Sequence, residues 1–276
     1  MLAAFDEQVR RHPDPDGPLN AIEQDDRVTR NVSVNGWNGV IWSDLDRVSV
    51  DAVIAAQVSR FAELARPWEW KHYSYDQPPD LPDRLLAAGF TPEPPETLLV
   101  AEIADLNLDL PPPAGVELVS VIDQRGIEAL VSVHDNVFGG DHSGLGSELL
   151  AALERRPPTA AAVVAVAGHT PVAAGRVEFH AGTDFASLWG GGTLPAWRGR
   201  GVFRSLVAHR AALASARGFR YLQVDATPDS RPILQRLGFV ELTTTTPFTH
   251  PGTPPTHPTP PSTPPSTPPS TRHLRH

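Results

Sequence analysis

The stretch WRGRGVF, Trp197 to Phe203, alternates two glycines with two arginines between a glycine run, Gly190 to Gly192, and an amphipathic segment with helical period. Such a combination suits an anion. The first turn of a helix presents unpaired backbone N–H groups and the positive end of its dipole, Gly199 and Gly201 let backbone approach closely, and Arg198, Arg200 and Arg204 add counter-charge. The backbone from Gly199 through Val202 and Phe203 to Arg204 is therefore a candidate pyrophosphate cradle. A plain strand-to-helix turn with solvated arginines is the alternative for the loop alone. Other phosphate motifs do not apply: no Walker-type lysine precedes a Ser or Thr here, and GRGVFR is not G-x-G-x-x-G.

A second group of reactive side chains lies on VAAGRVEFH. Read with a strand period of two, Arg176, Glu178 and His180 share one face and Val177 and Phe179 the other, which suggests a cleft; a solvated Arg176/Glu178 pair near a strand end is the alternative. His134-Asp135 and Asp141-His142 offer further acid–base groups, but none has ligand spacing such as H-E-x-x-H, so no metal is expected. Trp189 and Trp197 flank the glycine run and read as core packing before any ligand role.

The elements that must carry these residues follow from pattern. From Gly115 to Phe248 the chain predicts a strand (GVELVSV), two helices, a hairpin turned at Gly168 to Pro171, a strand from Phe185 to Leu194, a helix from Val202 to Arg217, the strand RYLQVDA, a short helix near Pro232 to Leu237 and a final strand. This is a mixed α/β sheet. WKHYSYDQPPDLPDRLLAAGF aligns with RYLQVDATPDSRPILQRLGF so that Asp76 falls on Asp225, Pro79 on Pro228 and Gly89-Phe90 on Gly238-Phe239 at one constant offset, and a helix precedes the strand in both. An internal duplication is expected. Only SDLDRVS stands where the first copy would need the glycine and arginine loop, so residues 1–107 are expected to be a degenerate scaffold and Asp225 structural. LDLPPPAG (108–115) reads as a proline linker, 116–249 as the functional domain, and the PPST repeats of 250–276 as a disordered Pro/Ser/Thr tail.

Composition bounds the partners. The 276 residues are 40% hydrophobic and carry a formal charge of −9, with 23 Lys+Arg against 32 Asp+Glu, so there is no basic field for nucleic acid and a cationic small molecule fits better. Without cysteine, disulfides and thiolate chemistry are excluded. No segment has the pattern of a signal peptide or a membrane span, and a cytoplasmic location is expected.

The run from Gly190 to Phe239 resembles the GNAT superfamily of acyl-CoA-dependent N-acyltransferases, whose motif is Gln/Arg-x-x-Gly-x-Gly/Ala before a helix. Arg198 stands at its first position, Gly201 at its first glycine, and Phe203 where a second small residue is usual. The resemblance extends over Val116 to Phe248 and implies a mixed sheet with helices on both faces, here in two tandem GNAT-like units. It also implies acetyl-CoA as acyl donor, a primary amine of a small molecule or protein as acceptor, and direct transfer without a covalent intermediate. The strand near Leu194 would bond the pantetheine arm, and the N–H groups of Gly199, Arg200, Gly201, Val202, Phe203 and Arg204 the pyrophosphate. Amine attack needs a base, for which Glu178 is the candidate, and thiolate departure is helped by an acid. Many relatives place a tyrosine for that purpose three residues before LGF; this chain has Leu234, leaving Ser230, Thr227 or Tyr221 as substitutes. That departure keeps a second reading open, a non-catalytic acyl-CoA sensor or scaffold.

Overall fold

A computed structural model describes residues 1–13, 20–33 and 36–252. The first half runs α1 (Leu2–Phe5), continued by a π-helical turn Asp6–Arg11, then β1 (Asn20–Gln24), β2 (Val28–Ser33), β3 (Gly39–Ser43), α2 (Val50–Ala62), β4 (Trp68–Tyr73), α3 (Leu81–Ala87), β5 (Thr91–Pro92) and β6 (Glu96–Glu102). The second half runs β7 (Val116–Ser120), α4 (Gln124–Phe138), α5 (Ser143–Glu154), β8 (Ala160–Ala167), β9 (Thr170–Phe179), β10 (Phe185–Thr193), α6 (Val202–Ser215), β11 (Tyr221–Ala226), α7 (Arg231–Arg236) and β12 (Val240–His250). The residues of the PPST tail beyond Gly252 lie outside the described residues.

Local chemistry shows why these runs start and stop where they do. Asp123 caps α4 by accepting from Gly126 N at 2.9 Å, and α6 starts at Gly201, held in the left-handed region at φ 91°. The sequence repeat recurs as identical helix ends. Phe90 N bonds Leu85 O and Gly89 N bonds Leu86 O; at the matching positions Phe239 N bonds Leu234 O and Gly238 N bonds Gln235 O. Both glycines have positive φ, 94° and 109°, as this kind of cap requires.

One hydrogen-bonded sheet joins everything, in the order β1-β2-β3-β4-β12-β6-β11-β10-β9-β8-β7, with β5 on β12. The two halves exchange their last strands. β6 pairs antiparallel with β11 from Tyr221↔Glu102 to Ala226↔Thr97, and β12 pairs with β4 from Thr245↔Tyr73 to His250↔Trp68. β6 and β12 also pair with each other, Thr245 opposite Glu96.

Strand alternation then sorts side chains onto two faces. On one, α2 and α3 cover Trp68, Trp70 and Phe248, while α6 and α7 cover Leu99, Ala101, Ala186, Leu188 and Leu222. On the other, the N-terminal helical segment lays Phe5 over Tyr73, Leu98, Val100, Phe185 and Tyr221, drawn from both halves, and α4 with α5 covers Ala160, Ala162 and Val164. Each buried Leu, Val or Phe among them contributes about 1.5–3 kcal/mol relative to exposure. Between these two covers the second face is left with polar side chains. The proline linker is docked rather than free, since Ser205 Oγ in α6 donates to Pro111 O at 2.8 Å.

The strand exchange predicts that residues 1–107 and 108–252 fold together. Expressed separately, each should lack a cooperative thermal transition, because β11 loses β6 and β4 loses β12. Coexpressed, they should copurify. A monomeric 108–252 fragment with a cooperative melt would contradict the exchange as a requirement for folding.

Candidate functional site

β10 and β11 run parallel and bond only from Phe185↔Tyr221 to Ser187↔Gln223, while β11 continues to pair with β6 as far as Ala226. Beyond Ser187 and Gln223 the two strands therefore part. At the closed end of this gap Ser187 Oγ accepts from Gln223 Nε2 at 2.5 Å and is bonded to His180 Nε2 at 2.5 Å. Farther out come Trp189 on β10 and Asp225 on β11. Trp189 Nε1, Gln223 Oε1 and Asp225 Oδ1 are buried without a hydrogen-bond partner among the described residues, which is costly in a closed interior.

β10 departs from β9 as well. Trp189 pairs with Arg176 but Gly192 pairs with Ala174, so one extra residue bulges at Gly190-Gly191. Two side chains hold the bulge from opposite faces. His134 in α4 donates Nε2–H to Gly190 O at 2.8 Å; burial, with Arg176 nearby, lowers its pKa to about 4, so the ring is neutral near pH 7. Arg210 in α6, 1% exposed, donates to Leu206 O (3.0 Å), Arg176 O (3.1 Å) and Trp189 O (3.4 Å). Burial and Arg176 lower its pKa to about 9. The glycine run is explained by these neighbours: a Cβ on Gly190 would fall on the His134 ring, and one on Gly191 would stand 3.1 Å from Phe203 and 3.2 Å from Arg210.

The loop after β10 turns through Pro195–Trp197 into α6. Gly199 and Gly201 have φ of 73° and 91°, and Ser205 N to Gly201 O, 3.2 Å, is the first bond of the helix. The N–H groups of Val202, Phe203 and Arg204 thus have no helical partner. Arg198 Nε donates back to Thr193 O at 3.1 Å, and Arg200 lies 4.8 Å over the Trp197 ring. Phe203, unusual for its motif position, turns toward the sheet against Gly191 and leaves the loop backbone uncovered. In the first half the matching turn is already filled: Asp46 Oδ1 accepts from Val48 N (2.9 Å) and Ser49 N (2.8 Å), bonds that lower its pKa to about 2. A carboxylate occupies the place of an anion there.

Other residues singled out in the sequence separate by position. Arg176, Glu178 and His180 are half-buried on one face, and Glu178 Oε1 accepts from Arg176 Nε at 2.7 Å, so the two are paired without being solvated. Ser230 Oγ contacts Thr227 Oγ1 and O, both at 3.3 Å, just past the open end of β11. Tyr221 stacks on Phe185 at 4.8 Å at the closed end. Leu234 is 1% exposed and packs into the core under α6, away from the gap. Leu194 has both backbone groups engaged, its N–H on Val172 O (2.9 Å) and its C=O receiving Trp197 N (2.8 Å), which moves the free strand edge expected there back along β10. His142 Nδ1 and Asp135 Oδ1 pair at 2.9 Å beside His134. Among the described residues no group of three potential ligands converges for a metal.

Two residues of the gap come from the first half. Lys71 Nζ, in β4, reaches across the exchanged strands to Asp225 Oδ2 at 2.6 Å and lies 5.9 Å from the Trp189 ring centroid. Burial alone would lower the Lys71 pKa, but Asp225, with Tyr73 and Glu69, outweighs it and the net shift is upward. Glu96, opening β6, shares the face of Asp225 and has its pKa raised to about 6 by burial, against the opposing pull of Lys71. Neither residue carried a signal in its own segment.

Comparison with known proteins fits this geometry. The acetyltransferase (GNAT) family profile matches residues 127–239, which span α4, the bulged strand, the loop and α7. Residues 127–239 belong to the GNAT family. A GCN5-related N-acetyltransferase from Kribbella flavida is 20% identical, with a TM-score of 0.65 over 84% of this chain and 90% of its own. A tandem GNAT protein from the clavulanic acid biosynthesis pathway superposes with a TM-score of 0.57 at 13% identity, covering 87% of this chain and 85% of its own. A GCN5-related N-acetyltransferase from Sphaerobacter thermophilus gives a TM-score of 0.56 at 13% identity, covering 85% and 83%. No curated protein matches the chain. The first half shares the GNAT-like fold, and among the described residues no helix is long and apolar enough to cross a membrane.

The bulge generates a prediction. Gly190→Ala should lower the melting temperature through a loss of about 1–3 kcal/mol, as φ 56° and the His134 ring both oppose a side chain. The neutral histidines add a pH dependence. His134 and His72 are lowered from 6.5 to about 4, so the unfolded chain binds more protons between these values and stability falls as pH drops through that window. In thermal melts from pH 7 to 4, His134→Gln should reduce that fall without abolishing it, since His72 remains. An unchanged slope would contradict the buried neutral His134.

Proposed function

We propose that this GNAT protein moves an acetyl group from acetyl-CoA to a primary amine of a small molecule or protein, by direct transfer. The observation that carries this reading is the loop from Gly199 to Arg204, with unpaired N–H groups and arginines at the start of α6, directly after a bulged strand that parts from its neighbour. The residues fit the donor. Backbone N–H groups of Gly199, Arg200, Gly201, Val202, Phe203 and Arg204 would hold its pyrophosphate, and the unpaired edge of β10 its pantetheine arm. The donor supplies an activated acyl group; the protein binds it, excludes water and handles protons. Ser230, with Thr227, is assigned to the departing sulfur, and Glu178, whose charge Arg176 offsets, to lining the cleft on the β9 side. The first half is a scaffold with respect to phosphate, its own helix start being filled by Asp46.

Leu234 favours one alternative, an acyl-CoA sensor without turnover, because its buried position leaves no phenol for the leaving thiolate. Calorimetric titration with CoA, followed by thiol release from acetyl-CoA across a panel of amines, separates the two: binding without release on any amine supports the sensor.

Arg198→Ala removes counter-charge and the brace to Thr193, and Gly201→Glu places a carboxylate where phosphate is expected. Each should weaken CoA at least about tenfold by calorimetry, with thermal melts showing a retained fold, given about 1.5–3 kcal/mol for a charged hydrogen bond. Unchanged affinity in both would refute the loop assignment. Ser230→Ala should cost about tenfold in rate, as expected for a replaceable proton donor.

A further inference from the structure

The strand exchange brings residues of the first half to the open end of the gap, where the acetyl donor's thioester is expected on the reading above. β6 lies against the flank of β11 that faces away from β10, with Leu98 opposite Asp225 and Thr97 opposite Ala226, so Glu96 opens its strand at the level where β11 ends. By strand period Glu96, Leu98 and Val100 share a face, the one that also carries Asp225, Gln223, Ser187 and Trp189. The charged groups facing Glu96 are Lys71 and Glu69 from β4 and Asp225 from β11. Lys71 is bound to Asp225 at 2.6 Å, and the two cancel, which leaves the carboxylates of Glu96 and Glu69 as net negative charge.

Glu96 differs from the other carboxylates of this face. Glu178 is tied to Arg176 and Asp225 to Lys71, whereas Glu96 is half-buried and makes no hydrogen bond or ion pair among the described residues. A second observation marks the spot for a polar ligand. The Asp225 side chain is 5% exposed, yet among the described residues its Oδ1 has no partner, and Trp189 Nε1 across the gap is likewise buried and unpaired. An ammonium group seated there would satisfy Asp225 Oδ1 and stand beside the Trp189 ring, which attracts cations.

We propose that the acceptor amine binds at this seam between the halves and that the Glu96 carboxylate takes its proton. The inference rests on the acetyltransferase reading and adds to it a base supplied by the half that lacks the phosphate loop. In the step, one N–H bond of the ammonium breaks and its proton goes to Glu96. The nitrogen lone pair then forms a C–N bond with the thioester carbonyl carbon, and the C–S bond breaks with its electron pair leaving on sulfur. The nitrogen loses its second proton to the thiolate, giving amide and free thiol, and Glu96 returns its proton to water. Burial holds Glu96 near a pKa of about 6, so it is ionised at neutral pH and still a better base than an exposed carboxylate.

The test uses full-length protein with acetyl-CoA and a panel of benzylamine, glucosamine and spermidine, following thiol release against pH with the fastest amine. Wild type should gain kcat/KM as pH rises through about 6, the region where Glu96 ionises. Glu96→Gln should lose about 100-fold at pH 7, lose that acidic limb, and recover toward wild type as pH approaches the pKa of the amine used. Glu96→Asp should restore the limb in part, and CoA affinity by calorimetry should be unchanged in both variants. Independently of turnover, the infrared carboxyl difference between wild type and Glu96→Gln should show one group titrating near 6 rather than near 4.5. Wild-type activity together with a Glu96→Gln profile that keeps its rate and its limb would overturn the base assignment and leave the acetyltransferase reading standing. CoA binding with no thiol release by wild type on any amine would instead reject the acetyltransferase reading, and the base with it.

Discussion

The arrangement depends on where β6 and β12 go. Had each half kept its own last strand, two separate sheets would abut through side chains, and neither would place residues in the other's cleft. Because β6 lies between β12 and β11, backbone hydrogen bonds cross the boundary between the halves, and no unpaired strand edge is exposed there. The aromatic cluster of Phe5, Tyr73, Phe185 and Tyr221 then seals the boundary on one face, and Gln8, paired with Asp184 at 3.0 Å, pins the N-terminal helical segment over it. The two repeated units are in this sense one structure.

That single sheet makes the gap between β10 and β11 possible. Parallel strands that part lose hydrogen bonds, and the loss must be offset nearby. Here β11 is held straight by β6 along its other edge, while β10 is bent by the bulge at Gly190-Gly191. His134 and Arg210 grip the bulge from opposite faces through carbonyl oxygens, and glycine is the residue type that leaves them room. The loop to α6 follows directly, so strand edge, gap and helix start form one continuous path. Chemistry and binding are thereby assigned to backbone that helices on both sides hold rigid.

Much of this was legible in the sequence. The period of two in VAAGRVEFH placed Arg176, Glu178 and His180 together, the glycine and arginine loop marked the start of α6, and the AGF and LGF ends of the repeat are the same helix cap twice. Strand pairing was not legible, because alternation reports which face a residue takes and is silent about which strand lies beside it. For that reason Lys71 and Glu96 looked like ordinary polar positions of a scaffold, and Asp225 had no visible partner. The proline linker was legible as a linker, but its carbonyl contact with Ser205 was not, since that depends on tertiary approach alone. Glu178 was correctly placed on its strand, yet its ion pair with Arg176 two residues away was one of two open outcomes that only side-chain geometry could separate.

The central claim is that one path, from the α6 loop through the gap to the seam, receives donor and acceptor together. A crystal structure with CoA and a bound primary amine tests it most directly. The account predicts pyrophosphate oxygens on the N–H groups from Gly199 to Arg204, the thiol between Trp189 and Asp225, and the amine within hydrogen-bond distance of Asp225 Oδ1 and Glu96. Phosphates elsewhere on the surface, or an amine held wholly by α4 and α5 with Glu96 untouched, would contradict it.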